Sequence, residues 1–461
     1  MKLGIIGGGV LGLTVALRRV QAGDEVVVFE KSQVPGGLAA SFPVTDRPDG
    51  PYLEKFYHHI FQTDKDIINL INEVGLGDQL EWKTPPTSTF RNGKVYRMDS
   101  AFGEIKFKPL KALLRPLTGS TIDTAIAIMR FKPISLFGRL RFGLGGAYLK
   151  FESNYQRLSQ TTAAQWSQKW MGKSAYEAIL KPLLTAKFGK KYDQIAMPWL
   201  WSRFHERTQF LGYVRGGFHR FYIKLYEAVV AKGGEVRLGT DVTGIKPTKE
   251  GKVLISADGQ EFVFDRVVVT TPTRVFIQLA GDALPAVYRE RYTSPNSIEH
   301  YSAHCVILSL DRKFMETYWL NLNDPGFPFL ALVEHTSYMP PSDYDGQHLL
   351  YLGNYLPPDH PLFSKSDEEV VAEFLPHLKR VNPAFDSSWI KRSWVWKAPY
   401  GQPIVTIGYK DKLPPHQTPI PNVLLANMAH VYPQDRGQNY SVRLGEKIAR
   451  VIWRARTNAS G

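Results

Sequence analysis

The chain has 461 residues, 43% of them hydrophobic, and a formal net charge of +14: it is too long for one simple core, has an ordinary globular composition, and is expected to fold as two or three domains. A single cysteine, Cys305, excludes an internal disulfide framework and fits a reducing, cytoplasmic compartment. No window offers about 18 uncharged apolar residues, so no membrane-spanning helix is expected.

The first elements form a complete βαβ unit. Lys2 to Ile6 reads as a short strand, Gly7-Gly8-Gly9-Val10-Leu11-Gly12 follows, a helical stretch runs to Gln21, and Glu25 to Phe29 is a second strand ending at Glu30. Lys2 ahead of the apolar Leu3 to Leu17 has a signal-peptide look, but that stretch ends at Arg18-Arg19 and offers no small-residue cleavage site. Gly7 allows the tight turn out of the strand, Gly9 lets backbone approach a pyrophosphate, and Gly12 lets the helix pack on the sheet. The helix N-terminus attracts the phosphates without a lysine. Glu30, 18 residues beyond Gly12, is placed to accept both hydroxyls of an adenosine ribose, so a dinucleotide with a free 2′-hydroxyl is expected.

Farther along, Asp64 to Leu76 has apolar residues at helical spacing and stops at Gly77. Residues 101 to 150 carry nine basic residues against Glu104 and Asp123, half of the total charge excess, interleaved with Phe102, Phe107, Phe131, Phe137 and Phe142. Such a segment can lie on an anionic membrane surface or be the solvated face of a packed domain; no nucleic-acid recognition module accompanies it. Between Thr161 and Leu184, Trp166, Trp170, Tyr176, Ile179 and Leu183 are spaced like one buried helical face. A second α/β block begins near Gly216-Gly217: a helix over Phe218 to Ala231, then strands over Glu235 to Leu238, Lys252 to Ser256 and Phe262 to Thr270, all able to extend the first sheet. Strands over Ser302 to Leu310 and Leu349 to Leu356 have a helix over Glu368 to Val381 beyond them, and Cys305 in the first of them reads as a buried structural thiol. The last block is a strand over Val423 to Ala426, a polar turn Tyr432 to Gly437, and a helix from about Gln438 to Arg456.

After Glu30 comes Lys31-Ser32-Gln33-Val34-Pro35-Gly36-Gly37-Leu38-Ala39-Ala40-Ser41, a second glycine pair that a plain nicotinamide dehydrogenase does not need. At this point the chain resembles the FAD-dependent amine oxidase, protoporphyrinogen oxidase and phytoene desaturase superfamily. The likeness continues through Pro182 to Gly189, Ile195 to Trp199, Leu238 to Ile245 and Val267 to Pro272; it departs at Ala426-Asn427-Met428-Ala429, where the family's acidic residue near the pyrophosphate is missing. The resemblance implies an α/β fold with a Rossmann-type FAD-binding domain built from segments 1–75, 205–280 and 400–461, and an α+β substrate domain from 76–204 and 281–399. It further implies FAD held by Gly7, Gly9, Val10, Leu11, Gly12, Glu30, Lys31, Gly36, Gly37, Leu38, the Val242 amide at the adenine, Asn427, and Gly437, Gln438 and Asn439 at the last helix. No metal is expected.

With FAD bound, hydride removal from a substrate carbon is the expected chemistry, and the cofactor carries it. Tyr57, His58 and His59 are the catalytic candidates, the histidines able either to shuttle a proton near neutral pH or to be structural. Trp394, Trp396, Lys397 and Tyr400 are candidates near the flavin, the three aromatics for a slot over its ring, and Lys187, Arg203 and His205 are candidates for contact with an anionic group. Three functions stay open. The first is an FAD oxidase, dehydrogenase or desaturase acting on a hydrophobic or anionic small molecule such as an isoprenoid or tetrapyrrole. The second is a redox-neutral flavoenzyme similar to UDP-galactopyranose mutase. The third is a non-catalytic binder resembling Rab GDP-dissociation inhibitors, against which the intact Gly36-Gly37 argues. A cytoplasmic location follows for each, with peripheral membrane contact through the basic segment.

Overall fold

The computed structural model describes residues 1–47, 49–97 and 134–457. Most of the basic 101–150 stretch, up to residue 133, lies outside the described residues.

Five parallel strands make the central sheet, in the order β10 (Glu235–Arg237), β2 (Glu25–Phe29), β1 (Lys2–Ile6), β14 (Arg266–Val269) and β20 (Val423–Leu425). Three distant stretches of chain thus meet in one sheet: Leu3 pairs with Val26 and Arg266, and Val267 with Val423. A parallel sheet needs cover on both faces, which is why its strands are nearly all Val, Ile and Leu. On one face Leu3, Ile5, Val26 and Val28 pack under helices α1 (Val10–Gln21), α2 (Lys65–Glu73), α6 (Phe218–Ala231) and α8 (Gln438–Thr457). On the other, Ile6, Val27, Phe29, Val267 and Val269 meet an antiparallel meander of β11 (Val242–Pro247), β12 (Val253–Ala257) and β13 (Gln260–Phe264).

The meander corrects the expectation that 252–256 and 262–270 extend the first sheet; only Arg266–Val269 does. The cause is local: Asp258 (φ 47°) and Gly259 (φ 74°) make a two-residue hairpin turn that folds β13 back on β12. The meander then lies close on the sheet, where a Cβ on Gly4 would come within 2.9 Å of Ile255 and Phe264.

The second body centres on a seven-stranded sheet, β19 (Ile390–Pro403), β15 (His300–Leu310), β18 (His348–Leu356), β17 (Ala331–Glu334), β16 (Trp319–Leu322), β7 (Thr87–Arg91) and β8 (Lys94–Arg97). Val306, Leu308, Leu350 and Leu352 pack on Phe374 and Leu378 of α7 (Asp367–Val381). That helix starts in a capping box of Ser366 and Glu369. Cys305, Ile307 and Tyr351 face the other way, into the cluster shared with the first body. Cys305 is buried, and desolvation pushes its thiol far up, out of reach of thiolate chemistry.

A helical body contains α3 (Leu136–Phe151), α4 (Lys181–Phe188) and α5 (Met197–His205). The single helical face expected over 161–184 is broken: Gly172 takes φ 92°, Trp166 and Tyr176 are buried, and Trp170, beside Trp166 at the end of its helix, stands exposed. Similarly, α2 ends earlier than expected, because Gly75 (φ 80°) terminates it before Gly77. Two smaller sheets, β3 (Ser41–Pro43) with β4 (Tyr52–Glu54), and β5 (Ile60–Phe61), β9 (Leu211–Val214) and β6 (Leu80–Lys83), close the seam between the bodies.

Candidate functional site

A cavity of about 630 Å³ runs along this seam, within the usual range for a small-molecule site. Its first wall is the turn between β1 and α1. Gly7 takes φ 109°, and a Cβ there would collide with Thr270 Oγ1 at 2.3 Å. Gly12 faces away from the cavity, and its lack of a Cβ lets α1 settle on the strand, since that atom would lie 2.0 Å from the Gly7 carbonyl oxygen. The α1 N-terminus has no side-chain cap and no acid in its first turn, so its N–H groups remain available to an anion. Glu30 lies beside them, accepting from Gly8 N at 2.6 Å and Ser32 N at 2.8 Å. Each carboxylate oxygen keeps a second lone pair for a hydroxyl.

The second wall is Gly36 (φ 124°), Gly37 (φ 57°), Leu38 and Ala39, pressed against Gly9. The third is the N-terminus of α8 with Asn427 and Gly437. Gln438 and Asn439 are 8% and 2% exposed, and each uses its side-chain oxygen: Tyr222 donates to Gln438 Oε1 (2.6 Å) and Ile67 N to Asn439 Oδ1 (3.1 Å). Their amide nitrogens are buried at the cavity without a partner. Two such donors beside a helix N-terminus call for a ligand with acceptor atoms, and a flavin pyrimidine or phosphate chain offers them. Asn427 is satisfied: it donates to Thr271 O and Thr273 Oγ1 and accepts from Ala429 N, tying two turns together at the position where the acidic residue was expected.

Farther in, Tyr57, His58 and His59 line the cavity. Tyr57 stands edge-on to Trp319 at 4.9 Å and occupies the space a Cβ on Gly353 would need. His58 Nδ1 bonds to Phe56 O (2.6 Å) and His59 Nδ1 to the Tyr318 hydroxyl (3.2 Å). Burial pushes the two imidazoles down to about 4 and about 3, so both are neutral at pH 7 and hold no proton to deliver there. Opposite them Tyr400 takes φ 58°, an uncommon conformation for a non-glycine, at a bulge in β19, edge-on to His300 at 5.6 Å.

Several expected residues stand elsewhere. Lys31 points to the surface and pairs with Asp241 at 2.8 Å. The Val242 side chain is buried in the meander core with Phe29, which leaves its backbone amide as the group expected at the adenine. Trp394 and Trp396 lie opposite Ile307 and Cys305 and pack on Phe42 of the shared core, at 5.1 and 4.9 Å, outside the cavity lining, and Lys397 donates to Lys365 O. His205 stacks on Trp201.

Lys187 and Arg203 do line the cavity, together with Arg207, Asp435 and Arg436. Asp435 accepts from Arg203 (2.6 Å), Lys187 (3.3 Å), Arg207 (3.4 Å) and Trp199 Nε1 (3.1 Å). Burial would raise its carboxyl, but the charges of Arg203, Lys187 and Arg207 hold it well below the usual range. Trp199, Arg203 and Arg207 follow at i, i+4 and i+8, a signal present in the sequence; Asp435 and Arg436 lie in the polar turn before the last helix, where nothing local marks their role.

The profile of the flavin-containing amine oxidoreductase family matches residues 12–434. The chain is 24% identical over 332 residues to the 15-cis-phytoene desaturase of Solanum lycopersicum, covering 69% of this chain and 54% of that one. It is 24% identical over 349 residues to the coproporphyrinogen III oxidase of Staphylococcus aureus, covering 68% of each. It spans about half to two thirds of the length of the first curated relatives it matches. In three dimensions it resembles an oxidoreductase from Methanosarcina mazei, with TM-score 0.72, 17% identity, and 98% of this chain and 100% of that one covered, a likeness of fold.

Proposed function

The chain belongs to the flavin-containing amine oxidoreductase family, its cofactor is FAD, and on that premise we propose that it oxidises a hydrophobic small molecule, an isoprenoid- or tetrapyrrole-like compound, by hydride removal. The two unpartnered amide nitrogens of Gln438 and Asn439, in the same cavity as Gly36-Gly37, are the observation that carries it. The names of the relatives, a phytoene desaturase and a coproporphyrinogen oxidase, support the substrate class.

FAD would supply the hydride-accepting ring. Around it, the α1 N-terminus and Glu30 would bind the phosphates and ribose, and the α8 N-terminus the pyrimidine edge. Tyr57 and Trp319 give the substrate an apolar wall and exclude water. His59, neutral and bonded at Nδ1 to the Tyr318 hydroxyl, would offer the substrate a hydrogen-bonding edge at Nε2. The expected division is a Rossmann-type cofactor domain of 1–75, 205–280 and 400–461 and a substrate domain from the rest; the pairing of β6 with β9 supports moving the first boundary to about residue 83.

Peripheral membrane contact belongs to the same proposal. No helix among the described residues is long and apolar enough to cross a membrane. On α3, however, Phe137 (74% exposed), Leu140, Leu144 and Phe151 (77% exposed) share an outer face near Arg139, Arg141 and Lys150.

The purified protein should be yellow, with the two-band visible spectrum of oxidised flavin, and an isoprenoid or tetrapyrrole substrate added anaerobically should bleach it. A colourless protein that takes up no added FAD overturns the proposal.

A further inference from the structure

The cation cluster around Asp435 is unbalanced. Lys187, Arg203 and Arg436 all line the deep cavity, and among the described residues Asp435 is the one carboxylate that forms an ion pair with any of them. Arg436 makes no ion pair among the described residues; it donates to Gln402 Oε1 at 2.9 Å and to the Tyr355 hydroxyl, both neutral. Arg203 Nε is buried without a partner, although its guanidinium lies 4.0 Å over the Trp199 ring. Lys187 has Trp199 and Tyr355 as further neighbours. At the rim, Arg207 is offset by Glu206 and Asp64, whose charges act on each other and on Tyr440 rather than on the inner three.

Buried charges are ordinarily paired, because an isolated one loses its hydration with nothing in return. Here two positive charges are left over. Their strain is visible in their titration: burial, then repulsion from neighbouring arginines, holds Lys187 well below its ordinary range and brings Arg203 down to about 9, and burial brings Arg436 to about 10. An oxyanion entering the cavity would relieve this with charge-assisted hydrogen bonds, for which the guanidinium fork is well shaped. Beside the cations, Leu183, Phe61, Tyr57, Trp319 and Leu330 give the cavity apolar lining, and the His58 and His59 imidazoles that share it are neutral.

We propose that Lys187, Arg203 and Arg436 form a cradle for a carboxylate or phosphate at one end of an otherwise apolar substrate. The inference rests on the cavity being the oxidoreductase site and narrows its substrates to amphipathic anions, setting aside pure hydrocarbons and amines.

The test is titration of the FAD-replete protein with decanoate, decyl phosphate and the neutral 1-decanol, read both by perturbation of the flavin spectrum and by quenching of tryptophan fluorescence, since Trp199 lies against Arg203. The expected result is that at least one decyl anion binds about tenfold or more tightly than decanol, a difference of about 1.4 kcal/mol. Arg203→Gln and, separately, Arg436→Gln should remove that advantage while decanol binding and FAD content stay as they were. A preference for decyl phosphate or for decanoate identifies which oxyanion is used. Equal binding of decanol and both anions, or anion binding within twofold of wild type in both variants, overturns the inference. The fluorescence reading does not need flavin: a colourless protein that still selects decyl anions fails the oxidoreductase proposal alone, whereas a yellow protein indifferent to charge fails this inference alone.

Discussion

At the scale of single residues, glycines with positive φ differ in what they do. Gly233 takes φ 89° in an open turn, and a Cβ there would meet nothing within 4 Å. Gly36 takes φ 124° and has the Ala40 backbone 3.1 Å from where a Cβ would sit. Both Gly36→Ala and Gly233→Ala should destabilise the fold by roughly 1–3 kcal/mol through backbone strain. Only Gly36→Ala should also deplete bound FAD, read as the ratio of flavin to protein absorbance. Equal FAD content in the two variants would remove Gly36 from the cofactor wall. The neutral state of His58 and His59 is likewise a matter of place: an imidazole's preference for its proton is set by the water around it, and burial has removed that water.

Among the elements, α1 and α8 are the pair assigned to the nucleotide end in the proposed site. They touch so closely that a Cβ on Gly445 would lie 2.9 Å from Thr14 Cβ and 3.0 Å from Leu11 O. Two helix N-termini are thereby brought to one cavity. Element existence was legible in the sequence wherever periodicity and caps agree: β1, β2, α1, α6 and α8 appear within a residue or two of expectation. The meander was missed although Asp258-Gly259 is a hairpin signal, because strand-rich composition alone does not say which sheet a strand joins. Helix α3 carries its own prediction. Its inner residues Phe142 and Leu149 are buried, yet its outer face is apolar too. A double Phe137→Ser, Leu144→Ser variant should lose binding to anionic vesicles by about tenfold or more, since burying each such side chain is worth roughly 1.5–3 kcal/mol. Unchanged sedimentation with vesicles would rule out α3 as a membrane contact.

For the whole molecule, the seam between the bodies is a store of buried ionisable groups, and these make stability depend on pH. Burial pushes His58, His300, His304 and His430 to about 4, and His59 and His335 to about 3. A histidine with a depressed folded pKa contributes stability that is present above about 6.5 and lost as pH falls toward 4. Glu54 and Glu334 act in the opposite sense. Burial raises each to about 7, so their contribution is full below the ordinary carboxyl range and fades as pH rises through 7. The histidines outnumber them, and each is worth up to about 1.4 kcal/mol per pH unit. Urea unfolding at fixed FAD should therefore show lower stability at pH 5.5 than at 7.5, with net proton uptake on unfolding. Equal stability at the two pH values would mean that these imidazoles are hydrated in solution. On the same scale, the βαβ unit, its glycines, Glu30 and the second glycine pair were readable from the sequence by itself, because each constraint acts over a few neighbouring residues. The tertiary structure alone decided that Asp435 gathers Lys187, Arg203 and Arg207, that Trp394 and Trp396 pack on Phe42 in the shared core, and that Lys31 pairs with Asp241 at the surface. Those outcomes depend on which surfaces the sheets bury against each other, and burial, which sets both contact and charge, is not a local property of the chain.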